Sequence, residues 1–263
     1  MSETTETVAV EACLAGGRYL RNAFATGDTD ATYLAYDVKS SADTESERRM
    51  LAVLEESVPE HRIDAEESGT HAGDDDRRWI VDPLDGTNNF EAGLPTFATA
   101  ATYLVDDEPE VAVSYAPVPD DLYVAVRGDG MRYKGRPVNT AETAASDDGP
   151  PASAATVMSV IGHDVKRDPE TAAVSERINR DIETRCKRRL ESWSPALHWG
   201  LLARGRIDGA VSYRPDAEEQ RLGELFVREA GLETASGAEW FVAARTDSLR
   251  EELLAVVETA GVE

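Results

Sequence analysis

Two aspartates at the end of an apolar run suggest the chemistry of this chain. The stretch WIVDPLDGTNNF at residues 79–90 carries Asp82 and Asp85, separated by Pro83 and Leu84 and followed by Gly86 and Thr87. Trp79, Ile80 and Val81 read as a short buried strand, so both carboxylates fall where the backbone leaves the core and turns. Pro83 presets one turn dihedral and Gly86 permits another. Crowding carboxylates in a stiff turn is costly unless something positive binds there. Upstream, Glu66 and Glu67 lie in AEES, and the polar stretch that follows predicts strands at 61–64 and 79–82 side by side, with Glu66 brought toward Asp82. Three carboxylates with backbone carbonyls nearby make an oxygen-only site, which suits Mg²⁺. No His or Cys stands in these segments at a zinc spacing. A short helix beginning at Gly86 and Thr87 would offer free amides to a phosphate oxygen. The residues therefore predict divalent-metal and phosphate chemistry.

The elements that must position them follow from periodicity. Val8, Ala12, Ala15, Tyr19 and Phe24 predict an amphipathic helix over 5–25, and a second runs from Asp43, read as an N-cap, to Val58, where Pro59 stops it. FATAATYLVDD, EVAVSYAPV and DLYVAVRG predict an antiparallel meander, which RGDGMRYKGRPVNT ends with glycines at hairpin spacing. Residues 141–152, small, polar and proline-bearing, form the linker candidate. Strands and helices alternate beyond it. The expected fold is α/β, an α+β layered sandwich, with a region 1–140 carrying the motif and a region 150–263 completing the site.

The string WIVDPLDGTNNFEAGLPTFATAATYL resembles the central signature of the inositol monophosphatase family, D-P-[IL]-D-G-T-x-N-F. AEES resembles its G-E-E-S, with Ala65 in place of glycine, and Asp43 with Glu47 resembles its D-x-x-x-E helix start. The resemblance implies a sugar-phosphatase fold, a homodimer, a small phosphorylated substrate and two or three Mg²⁺ ions, with Mn²⁺ as a substitute. It implies that Glu66, Asp82, the Leu84 carbonyl and Asp85 hold metal, that Asp85, Gly86 and Thr87 hold phosphate, and that Thr87, backed by Asp43, orients the attacking water. Hydrolysis would then be direct displacement at phosphorus by metal-activated water. The family's W-D pair stands here as Glu218 and Glu219, so Glu219 takes the position of a third metal ligand, with Asp216 as its substitute. A glutamate there shifts the carboxylate by about one bond length. Ser194, Ser212 and Arg214 fall at substrate-side positions, where the chain departs from the family pattern. Fructose bisphosphate and nucleotide bisphosphates are therefore alternative substrates, and a binding protein that has lost turnover is an alternative of another kind.

Composition bounds the setting. There are 51 Asp and Glu against 27 Lys and Arg, a formal net charge of -24, which argues against nucleic acid and anionic membranes as partners. Lysine occurs only at 39, 134, 166 and 187. Such an acidic, lysine-poor surface suits a high-salt cytoplasm and a halophilic archaeal source. Cys13 and Cys186 have no paired spacing, so neither a disulfide framework nor a zinc cluster is expected. The acidic N-terminus and the absence of a long apolar run are read as marks of a cytoplasmic chain without a membrane span.

Overall fold

A computed structural model describes residues 4–27, 31–33, 38–138, 140 and 151–262. Apart from its last two residues, the linker candidate lies outside them. Helix α1 (Thr5–Thr26) starts at Thr4, whose side chain accepts from the Thr7 amide, and stops at Gly27 in a left-handed conformation. Helix α2 (Ser41–Ser57) is capped by Ser40. Asp43 is thus not the N-cap expected from the sequence but the third residue of a capping box, its carboxylate accepting from the Ser40 amide.

Strands β1 (Ala31–Tyr33) and β2 (Val38–Ser40) form a separate antiparallel ribbon. The main sheet contains β3 (His61–Ala65), β4 (Gly69–His71), β5 (Asp74–Asp85), β6 (Ala98–Val105), β7 (Glu108–Ala116), β8 (Asp121–Val126), β9 (Gly130–Tyr133) and β10 (Arg136–Val138). Its order is β10-β9-β8-β7-β6-β5-β3-β4, antiparallel except where β3 meets β5. A second sheet of β11 (Thr156–Ile161), β12 (Arg188–Glu191), β13 (Gly209–Tyr213), β14 (Glu233–Ser236) and β15 (Trp240–Ala244) runs β12-β11-β13-β15-β14.

Side-chain alternation builds the layers. On β7, Val111 and Val113 join α1 and α2 in one core, while Ala112 and Ala116 turn to the other face. There they meet helices α5 (Pro195–Ala203) and α6 (Ala217–Glu229), which also cover Met158, Val160 and Phe241 of the second sheet. The far face of that sheet, with Val157, Val211 and Val242, packs on α4 (Pro169–Arg185) and α7 (Asp247–Ala260). The chain therefore adopts the layered α/β architecture expected of it, as helix, sheet, helix, sheet and helix. PALHWGLLA in α5 is nearly apolar all round because both its sides are covered. Among the described residues no helix is long and apolar enough to cross a membrane.

Two local features position the motif. Strand β3 lies parallel to β5 with Ala65 beside Val81, and the Glu66 amide donates to the Val81 carbonyl at 3.3 Å, which sets Glu66 next to Asp82. On the other edge of β5, Asp82 pairs with Ala100 and Asp85 with Ala98, so an extra residue bulges between the aspartates. Pro83, which has no amide to give to a ladder, lies in that bulge.

Candidate active site

The bulge turns both aspartates out of the sheet before α3 (Thr87–Glu91) begins. Gly86 makes the corner at φ 97, and a Cβ there would stand 3.0 Å from the Trp193 carbonyl oxygen and 3.0 Å from the Ser194 Cβ. Only glycine combines that backbone with so close an approach of the β12–α5 segment. The segment crosses over to hold Asp85. Ser194 Oγ donates to Asp85 Oδ2 at 2.6 Å, and the Ala196 amide donates to the same oxygen at 2.9 Å. Asp82 Oδ1 accepts from the Leu84 amide at 3.0 Å, fixing the turn from within.

Helix α2 supplies the opposite wall. The Thr87 hydroxyl lies 2.9 Å from Asp43 Oδ1, to which it donates, and 3.1 Å from the Leu84 carbonyl. One turn on, Ser46 donates to the Pro83 carbonyl at 2.8 Å, and Glu47 accepts from the amides of Glu67 and Ser68 at 2.7 and 2.9 Å. One helix thereby holds both carboxylate-bearing turns. Sequence reasoning assigned no role to Ser40 or Ser46 and read Glu47 only as part of a helix-start motif. The S-x-x-D spacing of Ser40 and Asp43 was a legible sign of the helix start.

The electrostatics are those of crowded, desolvated carboxylates. Burial pushes Asp43 up to about 7, against the hydrogen bonds from Thr87 and Ser40 that oppose the rise. Asp82 is raised well above the ordinary range, first by burial and then by Glu66, Asp85 and Glu219, all charges of its own sign. Glu66 keeps solvent contact at the outer edge, yet desolvation and the Asp43 charge raise it too. Burial also raises Asp85, and the bonds from Ser194 and the α5 amides moderate the effect.

The expected ligands are only partly assembled. Among the described residues no three His, Cys, Asp or Glu side chains stand in metal-gripping geometry. The chemistry of the donors still fits a hard divalent cation, because buried carboxylate oxygens, raised first by desolvation, are relieved when positive charge enters. Glu219 shares a cavity of about 10 Å³ with Asp82 and Ala196, room for about one water. Asp216, the substitute ligand, caps α6 and lies 3.1 Å from His163 Nδ1. Burial alone would raise its carboxyl, but His163 outweighs this and holds it low.

The three substrate-side residues have different surroundings. Ser194 is fully buried, and its hydroxyl supports the Asp85 carboxylate. Ser212 is buried in β13 with a hydroxyl that meets no partner. Arg214 pairs with Glu239 at 3.2 Å and lines a polar pocket with Gln220 and Glu224, while Glu219 lines the cavity beside Asp82. His198 is buried, with Nδ1 2.7 Å from the Ser192 hydroxyl. Trp199 is core, whereas Trp193 is 47% exposed.

Comparison with known proteins shows the family and the fold. The Nus factor SuhB of Salmonella typhimurium is 32% identical over 228 residues, 86% of this chain and 82% of that protein. A fructose-1,6-bisphosphatase/inositol-1-monophosphatase of Thermotoga maritima is 29% identical over 195 residues, 74% of this chain and 70% of the other. The solved extragenic suppressor protein suhB of Bartonella henselae shares the fold, with a TM-score of 0.83 at 24% identity over 95% of this chain and 97% of that one. The first of these names corrects one expectation. Net charge was taken to exclude nucleic acid as a partner, and relatives this similar carry the name of a Nus factor, so bulk charge does not support that exclusion. The profile of the inositol monophosphatase family matches residues 1–244, spanning both sheets and every side chain of the cluster, and the chain belongs to that family.

Proposed function

We propose that the chain hydrolyses the phosphomonoester of a small soluble compound with the help of Mg²⁺. The observation that carries this reading is the Thr87 hydroxyl, held between Asp43 and the Leu84 carbonyl at the edge of a cluster of like-charged carboxylates. Glu66, Asp82, Asp85, the Leu84 carbonyl and Glu219 would hold the metal. When bound, Mg²⁺ lowers the pKa of water and neutralises phosphate oxygens. Thr87, donating to Asp43, keeps lone pairs that accept from a water and hold it in line with phosphorus. Asp43, with its carboxyl near 7, can take the proton through that hydroxyl as the water oxygen bonds to phosphorus. The ester oxygen leaves with the bonding pair and takes a proton from solvent to become the alcohol product, while Asp43 returns its proton to solvent.

The test is phosphate release in molar KCl, with and without Mg²⁺, from inositol 1-phosphate and fructose 1,6-bisphosphate. Release should require Mg²⁺, and Thr87→Val should lower kcat by roughly 10²–10⁴ at saturating metal. Metal-independent release, or a Thr87→Val enzyme as fast as the parent, would overturn the reading.

A second reading rests on the relatives named Nus factor SuhB. The chain would then act as a factor through its surface. An Asp85→Asn chain that loses turnover but keeps such a role would separate the two.

A further inference from the structure

Helix α6 lies between the two sheets, with Leu222, Leu225, Phe226 and Val227 in the core that both share. Apolar packing is non-directional, so polar anchors decide where along its axis the helix stands. Its cap is tied to the second sheet, since Asp216 lies 3.1 Å from Nδ1 of His163, just after β11. Its body is tied to the main sheet. Glu229, the last residue of α6, accepts two backbone amides of the β8–β9 turn, Oε1 from Gly128 at 3.0 Å and Oε2 from Gly130 at 2.9 Å. Just beyond, the Thr140 amide donates to the Ala230 carbonyl at 3.1 Å. Nearer the start, Arg221 donates to Asp107 of the β6–β7 turn at 2.8 Å, and Asp107 also accepts from Arg78 of β5. The Arg221–Asp107 pair is 33% and 62% exposed, so salt screens it. The two bonds to Glu229 are charge-assisted and made in one fixed geometry, which leaves that carboxylate as the stronger anchor.

We infer that Glu229 is a positioning residue for the metal: by fastening the end of α6 to the β8–β9 turn, it makes Glu219 move with the main sheet, which carries Asp82 and Asp85, rather than with the second sheet. Glu219 stands ten residues before Glu229, about 15 Å along the axis. There it shares a cavity of about 10 Å³ with Asp82. The two carboxylates carry one sign of charge, and their repulsion drives the start of α6 away from β5 until a cation enters. A helix free to follow the second sheet would yield to that repulsion and open the site. Held at its far end to the same sheet as Asp82, it keeps Glu219 within reach of the ion. The inference rests on the hydrolytic reading above, because Glu229 has this part only if Glu219 reaches the metal.

The experiment titrates the chain in molar KCl with Mn²⁺ alone, which takes the same oxygen ligands as Mg²⁺, and reads free Mn²⁺ by electron paramagnetic resonance. The chains are the parent, Glu229→Ala, Glu219→Gln and the double variant. Gly128 is exposed and Gly130 half-buried, so their amides turn to water in Glu229→Ala and the fold survives. Glu219→Gln should remove or weaken one class of Mn²⁺ site, and Glu229→Ala should weaken that same class by about tenfold. Residues about 15 Å apart act additively when they are independent, so the decisive result is that Glu229→Ala has no further effect in the Glu219→Gln chain. Ile182→Ala, in the core on the far face of the second sheet, is the stability control and should leave Mn²⁺ binding unchanged. Equal binding in the parent and Glu229→Ala, the same loss with and without Glu219, or an equal loss in Ile182→Ala would overturn the inference and leave the hydrolytic reading standing. A Glu219→Gln chain that binds as the parent does would overturn it together with the place of Glu219 among the ligands. A parent that binds no Mn²⁺ would overturn both the hydrolytic reading and this inference.

Discussion

Ser194 shows how much of a hydroxyl's surroundings lies beyond its position in the sequence. It sits at a substrate-side place in the sequence, yet its 2.6 Å bond to Asp85 makes it a support for a carboxylate. Removing such a support costs metal affinity, so Ser194→Ala should raise the Mg²⁺ concentration for half-maximal phosphate release by about 10–100-fold while leaving substrate KM at saturating metal nearly unchanged. The reverse pattern would return Ser194 to the substrate. His198 gives the clearest pH signature. Burial depresses it from its ordinary 6.5 to about 4, so between those values the unfolded chain binds the extra proton. Its contribution to stability is present above about 6.5 and is lost as pH falls toward 4. His198→Asn should flatten that acid limb in denaturation measured across pH 7 to 4, by up to about 3 kcal/mol.

Among the elements, α5 and α6 matter most to the site, since α5 brings the Ala196 amide to Asp85 and α6 brings Glu219 beside Asp82. Their separation depends on small residues at the crossing. A Cβ on Gly223 would lie 2.3 Å from the Trp199 ring. Gly223→Ala should therefore destabilise the fold by about 1–3 kcal/mol in chemical denaturation at fixed salt, because the indole is fully buried and has nowhere to retreat. The two helices would be pushed apart, and the concentration of Mg²⁺ needed for turnover should rise with the loss of stability.

For the molecule as a whole, the charge of -24 sets the conditions under which the fold holds. Self-repulsion among exposed carboxylates is long-ranged at low salt and screened within about 3 Å at 1 M. The melting temperature should climb steadily from 0.1 to 1 M KCl, and a flat profile would mean that the surface ion pairs, such as Arg62 with Asp64 and Asp75, already neutralise the repulsion locally.

The sequence by itself determined the motif and the elements that carry it. Asp82, Asp85, Gly86 and Thr87 are fixed relative to one another by a bulge and a corner that Pro83 and Gly86 encode within a few residues, and the period of α1, α2 and the meander was legible because each buries one face. Strands β4, β12 and β14 were not anticipated: each is three or four residues long with little apolar patterning, and such strands owe their existence to a neighbour's ladder. Only the tertiary structure decided that Ser194 faces Asp85, that Ser212 is sealed in a sheet, that Trp193 stands in solvent under Lys166, and that Glu47 anchors a turn 20 residues away. These relations join segments distant along the chain, and which side chain meets which is set by how the layers pack, a choice that local spacing does not contain.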